Sequence, residues 1–217
     1  MTRIAVITGD LINSTRVADS KAFKRQLDAL LQRLQKRFDA EVATYRGDGF
    51  QIAMDANNNA LQLALLLRTG LIAASPDSEN RWDARIAIAW GEGAGEGEEN
   101  GEGKLDPASQ IGPVYIQSGR ALDALGKQHL QAVTAGELPT LALNLSCRFA
   151  DDILNQLTAV EAEVLYYYLQ DRGSHQSIAD RLGKQRPTVT VALQRARYKL
   201  LAQFVDDMDQ LLRLSHE

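Results

Sequence analysis

The feature that most constrains the fold is the alternation of short, branched apolar runs with longer patterns of helical spacing. The strand-like runs lie at 3–8, 41–46, 50–54, 85–91 and 130–135. Apolar residues three or four positions apart recur at 19–38, 57–74 and 112–126. These patterns predict an α+β fold, in which helices pack on one face of a sheet that contains antiparallel strands.

The pattern changes after residue 156, where only helical spacing remains. Three helical segments are predicted, at 158–171, 174–182 and 187–205. Gly173 and Gly183 separate them, and Pro187 stands at a favoured helix start. We therefore expect two domains, 1–140 and 156–217, joined by a linker at 141–155. The region 136–155 is expected to contain a strand or a short helix.

Composition and charge restrict the class of protein. Apolar residues make up 45% and charged residues 24%, which is ordinary for a soluble globular chain. No apolar run reaches the roughly 20 residues of a spanning helix. The N-terminus lacks the apolar core of a secretory signal, so we expect a cytoplasmic protein with no membrane partner. The single cysteine, Cys147, excludes an internal disulfide and a cysteine-based zinc site.

The charge is unevenly distributed along the chain. The net charge is −4, yet the segment 172–199 holds seven Arg and Lys residues against Asp180 alone. Local charge, rather than the total, steers nucleic acid towards a protein. A second biased segment, 91–104, reads GEGAGEGEENGEGK and is either a lid over a site or a tolerated surface insertion.

The basic segment lies in a longer motif at 157–201. It contains LTAVEAEVL, then IADRLG, then TVTVALQRARYKL, and resembles the helix-turn-helix of response-regulator and sigma-factor DNA-binding domains. The resemblance implies that the third segment enters the DNA major groove. The residues expected towards base edges are Arg186, Thr188, Thr190, Gln194 and Arg195. Those expected on phosphates are Lys184, Arg197 and Lys199. The alternative is a three-helix protein-interaction module whose basic face is solvated.

Two Gly-Asp steps stand at predicted strand ends. Asp10 ends the first strand in VITGDL, and Asp48 lies in the hairpin turn of YRGDGFQ. Adjacent central strands would bring both carboxylates to one edge of the sheet. Mg²⁺ favours one or two carboxylates together with phosphate oxygens and water. We therefore expect Asp10 and Asp48 to be metal ligands; the alternative is that both are turn residues.

With RIAIAWG and GPVYIQSGR, these steps occur in an order that resembles the catalytic domain of class III nucleotide cyclases and, more distantly, diguanylate cyclases. Among full-length families the chain is most similar to the SatD family. The resemblance implies a ferredoxin-like or cyclase-like sheet, a homodimer and Mg²⁺ as cofactor. It also implies a nucleotide or phosphorylated ligand contacted by Arg46 and Arg120; the alternative for both is a solvated surface arginine.

The sequence departs from the cyclases at two positions. Ile116 stands where those enzymes have an asparagine, and Thr44 where they have a base-recognising lysine. The N-terminal domain is therefore expected to bind a nucleotide and Mg²⁺ without turnover. A divergent nucleotidyl cyclase, another nucleotide-processing enzyme and a purely structural dimerisation domain are the alternatives. The combined prediction is a DNA-binding transcriptional regulator.

Overall fold

The computed structural model describes residues 3–45, 47–56, 59–93 and 112–215. In chain order the elements are β1 (Arg3–Leu11), α1 (Ser20–Phe38), β2 (Glu41–Tyr45), β3 (Gly49–Asp55), α2 (Ala60–Ala73), β4 (Ala84–Glu92), α3 (Pro113–Ala124), β5 (Leu130–Val133), α4 (Glu137–Asn155), α5 (Ala159–Asp171), α6 (His175–Leu182), α7 (Arg186–Arg195) and α8 (Tyr198–Leu214). Within these residues, no helix combines the length and apolarity that crossing a bilayer requires.

The five strands form one sheet in the order β2-β3-β1-β4-β5. β1 pairs antiparallel with β3 and β4, and β4 pairs in parallel with β5. β1 is central and covered on both sides, which explains why it reads as a continuous apolar run rather than as an alternating one. The predicted α+β class, with antiparallel strands in the sheet, is confirmed.

The two faces of the sheet carry different layers. Ala5 and Ile7 point into the main core, where α1 and α2 lie, and Ile4 and Val6 point to the other face. There they meet Val114 and Tyr115 of α3. The prediction that helices pack on one face of the sheet is thus correct for α1 and α2. α3 adds a second layer because alternate residues of a central strand face opposite sides.

α2 is apolar around its whole circumference, and twelve of its fourteen residues are buried. A helix of this kind must be surrounded by protein. It packs against the sheet, against α1 and against α5. An added Cβ at Gly70 would lie 2.7 Å from Leu30 Cδ2 and 3.2 Å from Tyr166 Cε2, so the three helices approach closely there. The core consequently continues from the sheet through α2 into the C-terminal helices.

Two C-terminal elements differ from the expectation. The strand or short helix expected at 136–155 is a 19-residue helix, α4, so the expected linker lies inside it. Buried Leu143, Cys147 and Leu154 hold it against the core at helical spacing. The third predicted segment is two helices, because Arg197 adopts a left-handed φ of 52° between α7 and α8.

Candidate functional site

The C-terminal candidate site is built on α5, α6 and α7, which we call the three-helix unit. Its own small core contains Val164, Ile178, Ala179, Val189, Ala192 and Leu193. α6 ends at Gly183, whose φ of 62° suits glycine better than any residue with a Cβ. The chain then turns and starts α7 with Arg186 and Pro187, so the proline occupies its favoured position in the first helical turn.

The outward face of α7 carries most of the residues expected to read bases. Val189, Ala192 and Leu193 hold the inner face of the helix. The exposed positions are Arg186, Pro187, Thr188, Val191, Gln194 and Arg195. The structure therefore brings four of the five expected base-facing residues to one solvent-exposed surface.

Thr190 is the expected base-facing residue that lies elsewhere. It is half-buried, and its hydroxyl lies 2.9 Å from Nδ1 of His175 at the start of α6. The His175 ring in turn meets the Tyr198 ring edge to face, with ring centroids 5.4 Å apart. The side chain of Thr190 thus holds α7 against α6.

The cations of this surface fall into two groups. Lys184, Arg181 and Arg172 each pair with a carboxylate, at 2.8, 3.2 and 3.0 Å respectively. The second group consists of exposed cations that make no ion pair with any described residue, namely Arg186, Arg195, Arg197 and Lys199. Free positive charge therefore lies at both ends of α7.

Val191 is a candidate that the sequence analysis missed. Its side chain is 47% exposed, between Thr188 and Arg195 on the outward face. It also borders an open depression lined by Gln156, Glu161, Gln194, Arg195 and Arg197. The helical spacing of the apolar residues Val189, Ala192 and Leu193 could have predicted this exposure, because it leaves position 191 on the opposite side of the helix.

The N-terminal candidate site is the Asp10–Asp48 edge, where β1 ends beside the β2–β3 turn. The register places Asp10 opposite Gly49, and the backbone N–H of Leu11 donates to the carbonyl of Asp48 at 3.3 Å. The two predicted metal ligands are therefore neighbours in the sheet. Their side chains already have partners, since Ser14 Oγ donates to Asp48 Oδ2.

Arg85, at the start of β4, is the residue that the sequence analysis missed at this edge. Its Nε donates to Asp10 Oδ1 at 2.9 Å, and its Nη2 donates to Asp10 Oδ2. The hydrogen bond with Asp10 raises the pKa of Arg85, so the arginine stays charged. This contact cannot be predicted without knowing the strand register, because the register sets Asp10 opposite Arg85.

The donor set at this edge does not fit a divalent cation as it stands. Both oxygens of Asp10 bond with Arg85, so a metal would have to displace a guanidinium. The described residues contain no group of three or more His, Cys, Asp or Glu side chains that could hold a metal ion. Arg120 is exposed on α3, and no described hydrogen bond or ion pair joins it to this edge. Arg46 and positions 94–104 of the Gly-rich segment lie outside the described residues.

Comparisons with known proteins follow the same division of the chain. Residues 150–200 match the family described as Sigma-70, region 4. A comparison with curated proteins finds no match. Among solved structures, a bacterial light-regulated adenylyl cyclase is similar at 12% identity and a TM-score of 0.47, over 60% of this chain and 75% of that one.

Two further solved structures are similar to this chain. One is the guanylyl cyclase domain of the RhoGC fusion protein from the aquatic fungus Blastocladiella emersonii, at 14% identity and a TM-score of 0.42, over 57% of this chain and 74% of that one. The other is the adenylyl cyclase CyaB from P. aeruginosa, at 13% identity and a TM-score of 0.40, over 57% and 72%. These values carry no activity over to this chain. The C-terminal helices, by contrast, contain a helix-turn-helix region similar to sigma-70 region 4.

Proposed function

We propose that the protein is a DNA-binding transcriptional regulator whose α7 enters the major groove. The observation that carries the proposal is the free cation group of Arg186, Arg195, Arg197 and Lys199 around an exposed helix face. Neighbouring cations are neutralised by carboxylates within the protein, whereas these four are available to DNA, Arg197 and Lys199 to its phosphates and Arg186 and Arg195 to its base edges.

The dimensions of α7 suit this role. Its ten residues span roughly 15 Å, and a major groove about 12 Å wide admits a helix. Arg186 and Arg195 lie at the two ends, with Thr188, Val191 and Gln194 exposed between them. Gln194 can pair with adenine, and the Val191 methyl groups can contact the methyl group of thymine. α7 thus combines positive charge that attracts DNA with groups that distinguish bases.

The test is DNA binding by the full chain, with sites selected from random duplexes and affinities measured by fluorescence anisotropy. Arg186→Ala with Arg195→Ala should weaken binding at least roughly 30-fold and reduce the salt slope by about 1 to 2. The matched control is Arg33→Ala with Lys36→Ala, which removes the same charge from exposed positions of α1. Equal loss in both double variants, or loss in neither, would contradict the proposed face.

A second candidate function, binding of a nucleotide with Mg²⁺ at the Asp10–Asp48 edge, is favoured by the register that makes these aspartates neighbours. Mg²⁺ would supply charge neutralisation between the carboxylates and the phosphates. Binding of Mg²⁺ to Asp10 requires Arg85 to give up its hydrogen bonds with that carboxylate. A divergent nucleotidyl cyclase would share the site. SatD membership, the homodimer and the cytoplasmic location remain predictions.

The test of the second candidate is a thermal-shift measurement with ATP and GTP, each with and without Mg²⁺. A ligand present at 100 times its Kd stabilises the folded state by about 2.7 kcal/mol. Asp48→Asn should abolish a Mg²⁺-dependent shift, and Asp207→Asn, on the exposed side of α8, should retain it. A shift that survives Asp48→Asn, or no shift with either nucleotide, would refute this candidate. Product formed from the nucleotide would identify the enzyme.

A further inference from the structure

The outer face of α4 carries four exposed, large apolar side chains, which we call the α4 stripe. Leu138, Leu141, Leu145 and Phe149 are 76%, 65%, 52% and 66% exposed. Their spacings of three and four residues place them on one side of the helix. Together they present on the order of 500 Å² of apolar surface, which is near the upper end for a monomer.

The stripe lies on the side of α4 that faces away from the core. The opposite side of α4 already packs into the core through Leu143, Cys147, Ala150 and Leu154. A helix on the surface of a protein normally turns polar residues towards water. α4 instead has apolar residues on both sides. No described part of the chain buries the four residues of the α4 stripe.

We propose that the α4 stripe is a homodimer interface, in which α4 packs antiparallel against α4 of a second copy. A two-fold contact needs a patch that is complementary to itself. The four stripe side chains are uncharged, so self-pairing incurs no like-charge repulsion along its centre. Two copies of the patch bury on the order of 1,000 Å², the lower limit expected of a specific interface before the flanking residues are added.

The charges beside the stripe fit an antiparallel arrangement. Exposed Glu137 and Arg148 lie on the same flank of α4, about three turns apart. A two-fold axis between Leu141 and Leu145 brings Glu137 of one copy close to the second copy's Arg148, on both sides of the axis. A parallel pair places these two residues on opposite flanks and gains no such attraction. The charges therefore select the direction of pairing.

The end of the helix adds a second contact. Asp152 is exposed and continues the stripe one turn beyond Phe149. In the antiparallel pair it approaches the N-terminus of the other α4, where Gly136 provides no side-chain cap. A carboxylate at that position faces the positive end of the helix dipole and also the like charge of Glu137 in the same first turn.

The inference does not rest on DNA binding, and its test omits DNA. Sedimentation equilibrium of the full chain should show a dimer with a dissociation constant in the micromolar range or below. Leu141→Glu with Leu145→Glu should raise that constant by at least roughly 100-fold, because each change places a charge in an apolar contact. Leu214→Glu is the control, since Leu214 is 60% exposed on α8 and outside the stripe. Circular dichroism verifies that each variant is folded.

A charge exchange tests the direction of pairing. Glu137→Arg or Arg148→Glu alone should weaken the dimer several-fold, and the two together should restore it. A monomeric wild-type chain at 100 µM would overturn the proposal and indicate a different occupant of the stripe. So would a dimer that survives the double leucine variant in folded form. Two single changes without effect, or a double change that fails to restore the dimer, would overturn the antiparallel arrangement.

Discussion

At the scale of single residues, Arg68 is the least expected group in the structure. It lies in the apolar helix α2 and is fully buried. Its guanidinium donates to Asp83 at 2.9 and 2.7 Å, to Asp151 at 2.6 Å and to Asn155 at 2.8 Å. Burial alone would lower the pKa of Arg68, but the two carboxylates outweigh it and the pKa is raised. The charged network therefore links α2, the start of β4 and α4.

Arg68→Ala should lower the free energy of unfolding by about 3–5 kcal/mol, because it leaves two buried carboxylates without their cation. Urea denaturation followed by far-UV circular dichroism measures the change. Arg33→Ala, at an exposed position of α1, should stay within about 0.5 kcal/mol of the parent. A loss below about 1 kcal/mol for Arg68→Ala would show that the network is not important for stability.

The partners of single residues were the part of the structure least accessible from sequence. Asp10 and Asp48 were correctly expected to be neighbours, because both follow from strand ends and a hairpin turn. Arg85 was not expected beside Asp10, since that contact depends on which strands pair and in which register. Arg68 gave no local signal either, because its carboxylate partners are 15 and 83 positions away in the chain.

At the scale of elements, the Gly-Asp step of β1 has a packing explanation. A Cβ on Gly9 would collide with the ring of Phe50 and lie 2.6 Å from the carbonyl oxygen of Arg85. Phe50 crosses β1 at this point from its place on β3, opposite Gly9. Glycine is thus needed for the contact between neighbouring strands, and the pairing of Gly with Asp is not in itself evidence for a metal site.

Gly9→Ala should destabilise the protein by about 1–3 kcal/mol, because the neighbouring backbone cannot move away without disturbing the sheet. Gly119→Ala is the matched control, since a Cβ there has no neighbour within 4 Å and alanine favours the helix. It should be neutral or stabilising by up to about 1 kcal/mol. Thermal unfolding of both variants checks the pair, and similar values for the two would refute the packing explanation.

The elements of the sheet were predictable because their patterns are local. The strand runs and the α1 spacing differ from the observed bounds by at most three residues. α4 was missed because leucines occupy its outer face as well as its inner face, which obscures the amphipathic period. The break at Arg197 was missed because neither Gly nor Pro marks it, although the backbone there is left-handed.

At the scale of the whole molecule, α5 joins the two parts, because it contributes residues both to the main core under the sheet and to the small core of the three-helix unit. α5 packs along α2, and Gln62 Nε2 donates to the carbonyl of Leu169 at 2.6 Å. Arg81 donates to the carbonyls of Leu157 and Leu154, at 2.5 and 2.7 Å. The predicted linker at 141–155 therefore lies within one continuous helix, and the packing continues across it.

We expect the chain to unfold in a single cooperative transition, because separation of the two parts would expose the apolar face of α2. Native-state hydrogen exchange measures this directly. The slowest amides of β1 and of α5 should exchange with the same free energy of opening and the same dependence on denaturant. Opening of α5 at a clearly lower free energy than β1 would show that the two parts unfold independently.

The position of α5 also has a consequence for protein engineering. Leu165 of α5 belongs to the core shared with α2, and Val164 of the same helix belongs to the core of the three-helix unit. A chimera that transfers only 156–217 to another protein would carry an uncovered apolar side. The helix-turn-helix is therefore not an interchangeable cassette, and a soluble graft requires a substitute for the surface of α2.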